Sequence, residues 1–146
     1  MLELHSKLPN QGVTIFSIMS QLAQELGALN LSQGFPDFAP PQALLESLSQ
    51  ATLHGSNQYA AGDGLLALRE QVAKLFLSRD QVVLNPLTEM TITPGATIGI
   101  FSAIQALVHQ GDEVIIFDPS YDSYAPSVQL VGAKAVHIAL QHPDFS

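Results

Sequence analysis

The sequence predicts an α/β chain, the first part of a doubly wound parallel sheet preceded by an N-terminal helical arm. Three observations lead there. From Met90 onward, strand-like apolar runs alternate with helical ones across short connections, the pattern of strands joined by crossover helices. The run Glu113-Val114-Ile115-Ile116-Phe117 lacks polar alternation, as a strand covered on both faces does. Before Asn85-Pro86, the apolar spacing is helical instead.

Element by element, Ile15, Phe16, Ile18, Met19, Leu22, Ala23 and Leu26 recur at helical spacing over residues 14–28 and stop at Gly27. A loop punctuated by Gly34 and Pro36 follows, and Pro40-Pro41 opens a second helix through Leu44, Leu45, Leu48 and Ala51. His54 to Gly64 reads as loop. Leu65, Leu68, Val72, Leu75 and Phe76 mark a third helix over residues 65–77, with Arg69 and Glu70 expected on its solvated face. Met90-Thr93 reads as a strand, Pro94-Thr97 as a tight turn and Ile98 to His109 as a helix. After the turn at Gly111-Asp112 come the strand at 113–117, a loop at 118–120, a helix at 121–130 and a third strand at 133–140. Three strands make a small sheet for this architecture, so the chain is expected to be a fragment. Its expected organisation is an arm over residues 1–29 and an incomplete domain over 30–146.

Composition narrows the classes of function. Five basic residues against thirteen acidic ones give a net charge of -8, which argues against nucleic acid or an anionic membrane as a partner. There is no cysteine, so disulfides and thiolate metal sites are excluded. The five histidines lack ligand spacing, and no metal site is expected. No apolar run is long enough to span a bilayer. Met1 to His5 shows no signal-peptide pattern, and a cytoplasmic location is the expectation. Only 12% of residues are charged while 47% are hydrophobic, so part of the apolar surface is expected to meet further chain or a second subunit.

Two local features carry chemistry. Thr93-Pro94-Gly95-Ala96-Thr97 joins a strand to a helix start, where free N–H groups and the positive dipole end favour an anion. Gly95 and Ala96 permit close approach to the backbone, and the Thr97 hydroxyl adds a donor. The turn is neither a Walker A loop nor a dinucleotide fingerprint. Taken alone, the residues describe an ordinary helix start capped by Thr93 or Thr97 better than an anion site. Asp118-Pro119-Ser120-Tyr121-Asp122-Ser123-Tyr124 leaves the next strand at the same edge of the sheet, where a flat aromatic can stack on a planar ring. Tyr121 and Tyr124 read equally as rim residues. Ser120 lacks the flanking glycines of a nucleophile elbow.

Four segments together resemble the fold-type I, class I/II, pyridoxal-phosphate-dependent aminotransferases: NLSQGFPDF at 30–38, NQYAAGDGLLALR at 57–69, TITPGAT at 91–97 and GDEVIIFDPSYDSYAP at 111–126. The resemblance points to the branch of the methionine and kynurenine (glutamine–phenylpyruvate) enzymes. It implies that Gly95, Ala96 and Thr97 cradle the phosphate of pyridoxal 5'-phosphate and that Tyr121 stacks on its ring. The Thr97 position varies within the branch. Tyr59 is implied to reach the cofactor of a partner subunit in a homodimer. Gly34 is implied to line the substrate pocket near the α-carboxylate, and Phe16, with Glu25 a weaker candidate beside it, to cover the substrate side chain. Taken alone, Phe16 also fits an apolar core stripe, Gly34 a flexible turn and Tyr59 a surface loop.

The implied reaction moves an amino group from methionine or another large neutral or aromatic amino acid to a 2-oxo acid. In the family, the Schiff-base lysine, the aspartate at the pyridinium nitrogen and the carboxylate-binding arginine lie beyond the region matched here. Lys7, Lys74 and Lys134 do not match the lysine's position, so no catalytic residue is assigned and the isolated chain is expected to be inactive. Two alternatives stand beside this reading. One is a non-catalytic phosphate-binding or cofactor-binding interaction module. The other is the front part of a pyridoxal-phosphate-dependent C–S β-lyase.

Overall fold

The computed structural model describes residues 4–34, 36–55 and 57–145. In chain order the elements are α1 (Ile15–Glu25), α2 (Gln42–Leu53), α3 (Leu66–Asp80), α4 (Ala96–Leu107), β1 (Glu113–Asp118), α5 (Tyr124–Leu130) and β2 (Lys134–Ala139). They fall into two compact units, residues 1–34 with 95–146, and residues 35–94.

In the first unit, β1 and β2 pair in parallel, with Glu113 opposite Lys134 and Asp118 opposite Ala139. Parallel neighbours need a crossover, and α5 supplies it. Ile116, Val128 and Ala133 form the buried centre, and Ile104, Val108, Val114 and Tyr124 pack around it. Burying Ile116 and Val128 stabilises the unit by roughly 1.5–3 kcal/mol each. Period-two alternation places Ile115 and Phe117 of β1 on the other face, beside Val136 and Ile138 of β2 in register. Ile115 and Phe117 are 60% and 56% exposed, so that face carries apolar surface open to water.

Helix α1 begins at Thr14, whose hydroxyl accepts the Ser17 N–H at 3.2 Å, and gives way to Gly27 at φ 59°. Beyond it, Asn30 Nδ2 donates to Ser20 Oγ at 3.1 Å and returns the chain onto the helix.

The second unit holds α2, α3 and the segments flanking them. Arg69 corrects the sequence reading, for it is 5% exposed rather than solvated. Its Nε donates to Gly64 O at 3.2 Å, its Nη1 to Pro86 O at 2.6 Å, and its Nη2 pairs with Asp63 Oδ2 at 2.9 Å. A planar five-donor fork meets all three acceptors at once. Gly64 has φ +96°, and a Cβ there would lie 2.6 Å from Ile92 Cβ, so both conformation and space require glycine.

The strand expected at Met90–Thr93 is absent, and among the described residues the sheet has two strands rather than three. Ile92 donates its N–H to Asp63 O at 3.0 Å, a contact between loops rather than a ladder. A β-prone run becomes a strand only when a neighbouring strand takes its backbone groups. The expected helices at 98–109 and 121–130 are observed at 96–107 and 124–130.

Candidate functional site

The parallel strands end at Asp118 and Ala139, and the chain leaves β1 through Pro119, Ser120 and Tyr121. This is the edge where open α/β sheets hold ligands. A cleft of about 580 Å³ runs along β1 from Val114 to Phe117, beside Ile100 and Ile104 of α4 and Tyr124 and Val128 of α5, and reaches that edge at the Pro119-Ser120-Tyr121 loop; Gly95, Ala96, Thr97 and Phe16 are not among its lining residues. Tyr121 is 49% exposed, so its ring is available to a ligand while the loop holds it in place.

Three aromatic rings meet at this loop. Phe16 of α1 lies 6.3 Å from Tyr121, centroid to centroid, with the planes tilted by 33°. Tyr121 lies 5.9 Å from Tyr124 at 56°. Both separations fall in the range of favourable tilted pairs. Phe16 is half-buried, and its ring contact is with the site loop.

Gly95 is the N-cap of α4, at φ 91° and ψ 161°, in place of the Thr93 or Thr97 cap considered from sequence. A Cβ at Gly95 would meet nothing within 4 Å, so open space adjoins the backbone at the helix start. Ala96 and Thr97 are exposed in the first turn. Such an end offers backbone N–H groups and positive potential to an anion.

The other expected positions are placed differently. Gly34 is exposed, its φ lies outside the left-handed region and a Cβ there would meet nothing, so neither strain nor crowding requires glycine. Tyr59 belongs to the second unit and is fully exposed. Glu25, at the end of α1, accepts from Gln21 Nε2 at 2.7 Å. Lys134 sits at the opposite, amino end of the sheet, where its Nζ is 2.7 Å from Glu113 Oε1. Six residues of strand put it roughly 17 Å from the ligand edge. That hydrogen bond, and then the attraction of the two charges, hold the Glu113 carboxyl below its ordinary range and the Lys134 ammonium above its own.

One pair at the ligand edge was not singled out from sequence. His137 Nδ1 lies 2.8 Å from Asp118 Oδ2. The lone polar residue inside Ala135-Val136-His137-Ile138 was its signal, but its partner depends on the strand register.

With this geometry in view, the comparison with known families is decisive: residues 27–146 match "Aminotransferase class I and II". The chain belongs to this family. It is 50% identical over 140 residues to the methionine aminotransferase of Escherichia coli K12, covering 96% of this chain and 36% of that protein. To the kynurenine–oxoglutarate transaminase 1 of Mus musculus it is 36% identical over 124 residues, 84% of this chain and 29% of the relative. A solved Escherichia coli structure, described as identifying a methionine aminotransferase function, superposes with a TM-score of 0.94 at 49% identity. It covers all of this chain and 38% of that one. The N-succinyldiaminopimelate aminotransferase structure from Mycobacterium tuberculosis gives 0.88 at 40% identity, covering 95% and 36%. The chain thus spans about a third of the length of the relatives it matches. The α/β architecture is that of the large domain of these fold-type I enzymes.

Class I and II aminotransferases work with pyridoxal phosphate. Of the residues that the resemblance implies for that group, Gly95 starts α4 with open space beside its Cα, and the Tyr121 ring is half-exposed at the cleft, whose lining does not include Gly95, Ala96 or Thr97.

Proposed function

We propose that this chain is the cofactor-recognising part of an aminotransferase. The enzyme would transfer the amino group of methionine, or of another large neutral or aromatic amino acid, to a 2-oxo acid. The observation that carries the reading is Tyr121, which lines the cleft along β1 at its carboxyl end and meets the Phe16 ring of α1. Gly95, Ala96 and Thr97 would hold the cofactor phosphate through backbone N–H groups and the Thr97 hydroxyl. Tyr121 would fix the ring plane. Phe16, delivered by the arm over residues 1–29 to the domain over 30–146, would exclude water from the substrate side chain and favour an apolar one. Gly34 would line the carboxylate side of the pocket, and Tyr59 would serve the cofactor of a second subunit in a homodimer. A cytoplasmic location belongs to the same proposal.

When bound, the cofactor supplies the electron sink that lets an amino group pass between carbon skeletons. The chain's own residues bind and orient it. Lys134 is committed to Glu113 at the far end of the sheet, and Lys74 lies on α3 in the second unit, so neither is proposed as the catalytic amine. The chain alone is therefore expected to recognise the cofactor without turnover.

Tyrosine emission gives a direct test, because the chain has three tyrosines and no tryptophan. Pyridoxamine phosphate, which has no aldehyde to react with surface lysines, is titrated into the chain and into Tyr121→Ala, with inorganic phosphate as the comparison. Saturable quenching that Tyr121→Ala weakens is the expected result. Binding no tighter than inorganic phosphate, or indifferent to Tyr121→Ala, would overturn the reading.

A further inference from the structure

The contact between His137 and Asp118 joins the last residue of β1 to a residue near the end of β2, toward the carboxyl end of the sheet. The two side chains are 46% and 42% exposed, so neither is fixed by burial. The main chain supports the same junction, with the Leu140 N–H donating to Asp118 O at 2.8 Å. Asp118 is also the root of the loop that bears Tyr121. Ser120 Oγ donates to Asp118 Oδ1 over a long 3.4 Å, and at the far end of the loop the Tyr124 N–H donates to Tyr121 O at 3.2 Å. Between these anchors, Pro119 and Ser120 are exposed, and ring contacts with Phe16 and Tyr124 are what hold the tyrosine itself.

We infer that His137 is a positioning residue. By holding the Asp118 carboxylate it fixes the root of the Pro119–Tyr121 loop, and through it the plane that the Tyr121 ring presents to the cofactor. The inference rests on the proposed cofactor role of Tyr121, but its structural half can be read without any ligand. Only the donor at Nδ1 matters in this account. An asparagine amide nitrogen is the same number of bonds from Cβ as Nδ1, whereas a glutamine amide nitrogen reaches as far as Nε2 does.

The test compares the full chain with His137→Ala, His137→Asn and His137→Gln by two readouts. Proton–proton Overhauser contacts between the Phe16 and Tyr121 rings report loop position in the absence of ligand, and pyridoxamine phosphate titration reports affinity. His137→Ala should weaken the ring contacts and raise the dissociation constant about three- to tenfold, the range of one lost hydrogen bond. His137→Asn should restore both and His137→Gln neither, while the unfolding midpoints of the Asn and Gln variants stay together. Unchanged ring contacts in His137→Ala, or equal recovery by Asn and Gln, would overturn the inference. A wild-type chain that shows the ring contacts but no binding would defeat the cofactor reading instead, leaving the loop-positioning claim to the Overhauser data.

Discussion

Replacing Arg69 by methionine keeps much of the buried stem and removes the guanidinium, so the loss can be worked from three contacts. The bond to Gly64 O, 3.2 Å long, is buried, and an acceptor left unpaired there costs about 1–3 kcal/mol. The 2.6 Å bond to Pro86 O is partly buried and adds about 0.5–1.5 kcal/mol. Asp63 is 46% exposed, so water replaces much of what the ion pair provides, and about 0–1 kcal/mol is assigned to it. Together these give a destabilisation of about 1.5–5.5 kcal/mol, against a usual total of roughly 5–15 kcal/mol for a domain. Urea unfolding followed by circular dichroism measures this as a lower midpoint at constant slope. Arg69→Lys retains the charge but lacks the fork, and it should recover less than half of the loss. A change below about 0.5 kcal/mol in Arg69→Met, or full recovery by lysine, would refute the clamp.

Two more expectations concern stability. Gly64→Ala combines positive φ with a Cβ 2.6 Å from Ile92, whereas Gly95→Ala has positive φ beside open space. Positive φ costs a side chain about 1–3 kcal/mol, Gly95 with ψ 161° lying where almost only glycine is found, so any excess loss of Gly64→Ala in urea unfolding measures the Ile92 clash, and equal losses would count against that contact. The Glu113–Lys134 pair should add a small pH-dependent contribution. Because the Glu113 carboxyl is held below its ordinary 4.5, its contribution is present above that value and fades as pH falls through the lowered one. Lys134 is held above its ordinary 10.5, so its part is lost only as pH rises through the raised value. Unfolding midpoints of wild type and Lys134→Met should therefore differ most between these limits, and the difference should shrink in high salt, since both groups face water.

Much of the first unit is legible along the chain. The apolar run of β1, the helical spacing of α4 and the turn at Gly111-Asp112 are local signals, and local signals survive without knowledge of partners. Arg69 is different. Nothing about an arginine on an amphipathic helix says that two carbonyls, five and seventeen residues away, will converge on its fork. Met90–Thr93 fails for the complementary reason, because strand propensity describes a side-chain pattern while a strand needs a backbone neighbour. The meeting of Phe16 with Tyr121 spans most of the chain; the resemblance gave one to the substrate side chain and the other to the cofactor ring, and neither it nor periodicity named them as a pair. His137 needed the register before its partner could be named.

The exposed pair Ile115 and Phe117 makes solubility of this chain a question of colloid chemistry. Nearly all parallel sheets are shielded on both sides, and an unshielded apolar face favours sticking to its like. What opposes it is the net charge of -8 at neutral pH, which makes every encounter between molecules repulsive at long range. That repulsion vanishes near the isoelectric point of about 4.7 and is screened within about 10 Å at 0.1 M salt. Dilute, slightly alkaline, low-salt solution is therefore the regime in which the molecule stays dispersed, and acidification should cloud it before it unfolds.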